Sequence, residues 1–353
     1  MRITVIGPAF PYKGGGAHHT TELANRLAAA GHEVTLESWK AQYPGFLYPG
    51  QQTIDEPEGE PFPGTRRTLS WRRPDGWPAL GRRLRGQDLV VLALLSPVQV
   101  PAYLGILTGL RGRTPVVALC HNVLPHERSF YDEPLVRALL RRVSRVLVHS
   151  ADQGRLAASL TGKPVTVAEM PAHLVTSPAP ARAEGVRNRL LFFGIVRPYK
   201  GLDVLLKALP TDVALTVAGE FWGGLDDTRS LIAARGLSVD LRPGYVPAAQ
   251  ISGLLADSDA LVLPYRSATA SQNVWMAFEH GLPVIATRVG DFAAQIQDGV
   301  DGLLCEPDDV GSLAETIKRF YAPGEPERLR AGVQPVDHGP TWDAYLEALT
   351  GSA

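Results

Sequence analysis

The chain has 353 residues, 45% of them hydrophobic and 20% charged, with 35 Lys and Arg against 36 Asp and Glu. That length suits two domains rather than one ordinary core, the composition excludes a disordered chain, and the near-neutral charge argues against nucleic acid as a partner. Its two cysteines, Cys120 and Cys305, lie far apart and outside any metal-type spacing, which speaks against a disulfide framework or structural zinc and fits a cytoplasmic protein.

The opening MRITVIGPAF holds an apolar run too short for a secretory signal. ITVIG reads as a strand, followed by the loop Pro11-Tyr-Lys-Gly-Gly-Gly-Ala and the helical stretch TTELANRLAAAGHEV. Consecutive glycines there let backbone N–H groups approach an anion, so a phosphate or sugar against Gly14 to Gly16 is one reading and a tight turn the other. The spacing departs from G-x-G-x-x-G, which weakens an oxidoreductase reading. Adjacent histidines on a helix diverge, so His18 and His19 do not read as a metal pair. His19 reads as a surface or helix-start residue and His18 as the one nearer the loop.

Pro49 to Pro78, rich in proline, glycine and arginine without clean periodicity, reads as an extended surface excursion. Leu89 to Leu110 carries no charge and is long enough to raise the question of a membrane helix. Pro97, Gln99 and Pro101 interrupt it, so a buried strand feeding a proline-started helix is expected instead. The strand VVALC ends at His121, which places that imidazole at the carboxyl edge of a parallel sheet, where such sheets bind ligands. A hydrogen-bonded strand-end histidine is the alternative. Arg82 to Arg85 and Arg137 to Arg145 read either as solvated helix faces or as peripheral contact with an anionic bilayer.

Thr176 to Arg189 replaces the apolar pattern with proline, alanine and charge, as a linker does. Beyond it LLFFGIV, ALTVAGE, DALVLPY and PVIATRVG form a second series of strands separated by helical segments. Two doubly wound α/β domains follow, spanning 1–176 and 177–339. The last segment, 340–353, spaces Trp342, Tyr345, Leu346 and Leu349 as a docking helix does, with Thr341 placed to cap it. After LLFFG, Arg197 and Lys200 sit in a strand-to-helix loop before Gly201, where both charges can converge on a pyrophosphate. Ser267, Thr269, Ser271 and Gln272 gather donors at another helix start, which suits phosphate oxygens as well as capping.

These stretches together resemble the retaining glycosyltransferases of family 4, with the GT-B fold of two Rossmann-like domains facing a central cleft. The similarity is carried by GGAHHTTELANRLAAAGHEV, FFGIVRPYKGLDVLLKAL, LRPGYVPAAQISGLLADSDALVLPY and SATASQNVWMAFEHGLPVIATRVGDFAAQIQDGVDGLLCEPDD. The resemblance implies transfer of a sugar from a nucleotide-diphosphate donor to a glycan, lipid-linked or small-molecule acceptor, with the donor's own phosphate as base. It implies no metal and no cofactor beyond the nucleotide sugar as co-substrate. Lys200, Arg197 and donors at Thr269, Ser271 and Gln272 would then steady the departing diphosphate. His121 would contact the transferred sugar, Gly15 and Gly16 would help hold donor or acceptor, and Tyr245 to Val246 would line the base pocket. The C-terminal helix would dock back on the first domain.

The sequence departs from that family's pattern in the donor loop. Two glutamates eight positions apart are usual there, but alignment on Gly281-Leu-Pro-Val places Ala268 and Met276 at those positions, and Glu279 lies three residues beyond the second. A third frequent glutamate falls at Ala294, and the arginine that follows the phosphate-strand glycine is Ile195, with Arg197 as a substitute. Two other readings stay open: a nucleotide-sugar-binding protein of this fold that lost turnover, and a nucleotide-sugar epimerase.

Overall fold

A computed structural model of the chain describes residues 1–45, 50–112, 114–173, 185–268 and 271–351. The chain divides into two compact units, Met1–Leu174 with His338–Ala353, and Val175–Asp337. The boundary expected at 176/177 and most of the linker lie outside the described residues.

The first unit is built on seven parallel strands in the order β3-β2-β1-β4-β5-β6-β7. These are β1 (Arg2–Ile6), β2 (Glu33–Ala41), β3 (Thr65–Ser70), β4 (Leu89–Leu94), β5 (Val116–Cys120), β6 (Arg145–Val148) and β7 (Val165–Val167). Successive residues point to opposite sheet faces. Val90, Leu92 and Leu94 accordingly feed one hydrophobic cluster with Val116, Ala118 and Cys120, while Leu89, Val91, Val117 and Leu119 feed another with Ile3 and Val5. Both faces are covered, which is why these strands read as unbroken apolar runs.

The uncharged stretch resolves as expected into β4, a 3₁₀ turn Pro97–Gln99 capped by Ser96, and the helix Val100–Leu110. Among the described residues no helix is long and apolar enough to cross a membrane. The excursion differs from its sequence reading. Pro49 lies outside the described residues, but Thr65–Ser70 forms β3, paired parallel to β2, and Gly76–Arg83 is a helix. Its only well-buried strand side chain is Leu69, so an edge strand with one apolar contact leaves little periodicity to read.

The C-terminal helix Gly339–Thr350 belongs to this unit. Trp342, Tyr345 and Leu349 are buried beside Leu23 and Leu27. Trp342 Nε1 donates to the Ala172 carbonyl at 2.9 Å, and the Arg145 guanidinium donates to the carbonyls of Ala348 and Leu349. The helix starts two residues before Thr341, at Gly339 with His338 as its N-cap, so Thr341 is inside the first turn rather than its cap.

The second unit holds six parallel strands in the order β10-β9-β8-β11-β12-β13. They are β8 (Arg189–Phe193), β9 (Ala214–Gly219), β10 (Val239–Pro243), β11 (Ala260–Leu263), β12 (Val284–Thr287) and β13 (Gly302–Cys305). The chain runs outward from β8 to β9 and β10, then returns to place β11 on the other side of β8. Asp259, fully buried, joins β8 to β11 at their amino ends by accepting from the backbone N–H groups of Arg187 and Arg189 and from the Tyr321 hydroxyl.

In each unit the strand order reverses beside the first strand, between β1 and β4 and between β8 and β11. Loops leaving the carboxyl ends of two such strands diverge to opposite faces and leave a crevice, the usual ligand position in open α/β sheets.

Candidate functional site

In the first unit the switch point is bordered by the loop after β1. The helix Gly15–Ala29 begins inside the glycine run, with Gly14 as its N-cap at φ +86° and no side-chain cap. Open space surrounds the position a Gly14 side chain would take, whereas a side chain on Gly16 would overlap Leu95, which follows β4. Gly16 thus lets the Leu95 side chain pack against the start of the helix. Gly15 faces His173, whose Nε2 lies 3.8 Å from where a Gly15 Cβ would be.

Behind this loop four imidazoles pack together. His19 lies edge-on to His121 with ring centroids 4.7 Å apart and to His173 at 4.9 Å, and His121 lies 5.5 Å from His149. Trp342 and Tyr345 of the C-terminal helix close the group, at 6.0 Å and 5.6 Å from His19. Both nitrogens of His19, and Nε2 of His121 and of His149, are buried without a hydrogen-bond partner. Burial first, and neighbouring imidazoles second, hold His19 and His121 well below the usual histidine range. Burial carries His149 and His173 down to about 4, against backbone carbonyls of Ala168 and Pro171 that pull the other way. The group is therefore neutral at pH 7. His19 is a core residue, which corrects its reading as a surface or helix-start position: with Leu23 and Leu27 it forms an i, i+4, i+8 stripe facing the sheet. His18 turns away to pair with Glu58 at 3.1 Å.

In the second unit the crevice is bordered by the loop after β8 and the loop after β11. Gly194 follows β8 at φ +111°, a conformation that favours glycine, and a side chain on Gly201 would overlap the Pro264 carbonyl just past β11. These two close approaches pull the 3₁₀ turn Pro198–Lys200 back over the strand end. Lys200 Nζ lies 3.1 Å, and Asn273 Nδ2 3.7 Å, from the point a Gly194 Cβ would occupy. Asn273 also donates to the Phe193 carbonyl at 3.2 Å, and its own N–H is received by Ser271, which caps the helix Gln272–Glu279. The Lys200 ammonium rests 5.2 Å over the Tyr265 ring, whose hydroxyl is buried beside Ser271 and Asn273. Burial lowers the Lys200 pKa, the charge of Arg197 adds to that, and Tyr199 opposes it.

No carboxylate pairs with Lys200 among the described residues: the nearby Asp203 and Asp308 are both engaged by Arg266, at 2.9 Å and 2.8 Å. Arg197 is held between the rings of Tyr199 and Trp222, at 5.7 Å and 5.0 Å. The result is an ammonium without a counter-ion among the described residues, an amide donor and a helix start at one strand end, an arrangement that suits an anion.

The sequence-derived candidates therefore fall in two groups. Lys200 stands beside Gly194 with Asn273, from the first turn of the helix that Ser271 caps and Gln272 opens, and Arg197 is stacked on Tyr199 and Trp222. Thr269 lies outside the described residues. Tyr245 and Val246 occupy the turn from β10 into the helix Ala248–Ala256, at the carboxyl edge of the same sheet. Gly15, Gly16 and His121 belong to the first unit, joined through His19 and His173. Asn273, Tyr265 and Trp222 were not legible as site residues; an asparagine two places after a serine reads as ordinary capping. Met276 is buried and Ala268 stands in the loop, so neither donor-loop position supplies a carboxylate. Of the leucine-interleaved arginines, Arg83 pairs with Glu37, Arg137 with Glu133, and Arg85 and Arg145 bind backbone carbonyls, while Arg82, Arg141 and Arg142 are exposed.

Comparison with known proteins agrees with this geometry. A family model described as Glycosyltransferase Family 4 matches residues 13–169, and one described as Glycosyl transferases group 1 matches residues 187–322. Among solved structures, Anabaena HepE in complex with UDP and glucose superposes with a TM-score of 0.73 at 17% identity, covering 100% of both chains. Sucrose-phosphate synthase from Thermosynechococcus elongatus gives 0.70 at 17% identity over 99% of this chain and 95% of its own. The catalytic domain of Arabidopsis thaliana starch synthase IV, bound to ADP and acarbose, gives 0.68 at 13% identity over 99% and 98%. The fold is that of the GT-B glycosyltransferases. Within that class, the first unit matches the family 4 glycosyltransferase model over residues 13–169, and the second matches the group 1 model.

Among curated relatives, the D-inositol 3-phosphate glycosyltransferase of Arthrobacter sp. (strain FB24) is 32% identical over 143 residues, 37% of this chain and 34% of the relative. That of Mycobacterium sp. (strain JLS) is 28% identical over 214 residues, 58% and 48%. The chain thus spans about a third to a half of the length of the curated relatives it matches.

Proposed function

We propose that the chain transfers a sugar from a nucleotide-diphosphate donor to a hydroxyl acceptor, with retention of anomeric configuration and without a metal. The observation that carries this reading is Lys200, a half-buried lysine with no carboxylate partner among the described residues, whose ammonium lies with Asn273 beside the glycine that follows β8. An unpaired, partly buried cation is costly, and a diphosphate removes that cost while gaining charge-assisted hydrogen bonds. Charge on the leaving diphosphate grows as the glycosidic bond breaks, so the same contacts favour the transition state over the ground state.

Relatives named for D-inositol 3-phosphate and neighbours solved with UDP or ADP supply the first substrates to try. Thermal shift with UDP, ADP, GDP and their glucose conjugates should single out one donor by a rise in the unfolding temperature. Incubation of that donor with sugars, polyols and D-inositol 3-phosphate should give a product of the donor's anomeric configuration by NMR, at a rate unchanged by EDTA. The second reading, binding without turnover, is favoured by the absence of carboxylates at Ala268 and Met276. Donor stabilisation with neither transfer nor hydrolysis would decide for it.

A further inference from the structure

The second unit carries another polar cavity, at the opposite end of its sheet from Lys200. A sheet covered on both faces needs apolar residues where helices pack. Register places Arg189 of β8, Thr216 of β9, and Asp240 and Arg242 of β10 on one face: Thr216 pairs with Asp240, and Leu191, two residues after Arg189, pairs with Thr216. With Leu254 and Asp257 at the end of the helix Ala248–Ala256, and Arg187, these residues line a cavity of about 430 Å³. A polar hollow therefore stands where sheet and helix would be expected to close on apolar side chains.

The charges inside it are unequally matched. Arg187 pairs with Asp257 at 2.7 Å, and Arg242 with Asp240 at 2.7 Å. Arg189 donates one N–H to the Thr216 hydroxyl at 3.2 Å and has no carboxylate partner among the described residues. Thr216 is buried, so it fixes the guanidinium plane while leaving most of its five donors unused. A planar, oriented and unneutralised guanidinium matches the paired oxygens of a phosphate. The volume lies within the ~300–1,000 Å³ span of small-molecule sites and exceeds what a lone phosphate fills, so the fit is to a phosphate ester of metabolite size.

We propose that this cavity is a second ligand site, in which Arg189 takes the phosphate of a small phosphorylated molecule and the Arg242–Asp240 and Arg187–Asp257 pairs border its polar remainder. Inorganic phosphate and glucose 1-phosphate are the probes, titrated calorimetrically into full-length protein carrying Lys200→Met, which removes the cation of the other anion site. Binding is expected to persist in that background, to be tighter for the ester, and to weaken about tenfold or more when Arg189→Met is added. Thr216→Val should weaken it less, and Arg189→Lys, which keeps the charge but loses the fork, should fall between. Unfolding temperatures of the variants identify any that fail to fold, and Arg189→Lys then stands in for Arg189→Met. Absence of binding in the Lys200→Met protein, or binding indifferent to both Arg189 substitutions, would overturn the proposal.

Discussion

Lys200 is where one residue's physics sets the most. Half-buried, it lies over the Tyr265 ring and feels the charge of Arg197, and the protein supplies no counter-ion for it among the described residues. Lys200→Met should therefore leave the unliganded protein as stable or more stable, while donor affinity falls by the ~1.5–3 kcal/mol typical of a charge-assisted contact, roughly ten- to a hundredfold. Calorimetric titration of the nucleotide and thermal unfolding measure the two halves separately. The pH dependence has a definite sign. Folding lowers the Lys200 pKa, so between the lowered and the ordinary lysine value the unfolded chain binds the extra proton. Unliganded stability gains from this group as pH rises through that window, and donor affinity declines over the same range. An affinity flat with pH would detach Lys200 from the donor. Lys200 and Arg197 were visible in the sequence because two cations before a glycine stand out between strand and helix. Asn273 was hidden because its neighbour Ser271 already explains a polar helix start, and His19 was misread although Leu23 and Leu27 continue its stripe.

At the scale of elements, the central strands were plain and the margins were not. β1, β4, β5, β6, β8, β9, β11 and β12 appear as apolar runs, whereas β3, β7, β10 and β13, the two edges of each sheet, escaped notice. β3, β7 and β10 are largely exposed or half-buried, so burial leaves too weak a pattern, while β13 is a buried run of four residues that begins at a glycine. The C-terminal helix was legible because its apolar spacing is strict, but what fastens its end was not. Arg145, at the start of β6, donates to the last carbonyls of that helix, a contact spanning two hundred residues that no local pattern announces. Arg145→Met keeps the apolar stem and removes the donors, leaving two carbonyls near the helix end without partners. A loss of about 2 kcal/mol is expected from urea unfolding followed by tryptophan fluorescence. A change under half that value would mean the apolar face alone holds the helix.

For the whole molecule, the two units carry different titrating and ligand-binding chemistry, which makes their stabilities separable. The imidazole group of His19, His121, His149 and His173 lies entirely in the first unit, while the Lys200 crevice lies in the second. Folding lowers His149 and His173 from the ordinary histidine value to about 4, so in that interval the unfolded chain holds more protons than the folded one. Their contribution is complete at neutral pH and is lost as pH falls toward 4, at about 1.4 kcal/mol per pH unit for each histidine. The charges that face the group offset little of this: Arg26 lies over Trp342 and is itself cationic, and Glu58 is engaged by His18. Calorimetric scans at pH 7 and pH 5, with and without the preferred nucleotide, should therefore resolve two transitions. Acid should lower the one belonging to Met1–Leu174 with the C-terminal helix, and nucleotide at a hundred times its dissociation constant should raise the other by about 2.7 kcal/mol. Tryptophan fluorescence assigns them, since Trp342 reports the docked helix. A single transition shifted by acid and nucleotide alike would mean that the units unfold as one, and that neither the histidine group nor the lysine acts on its own half alone.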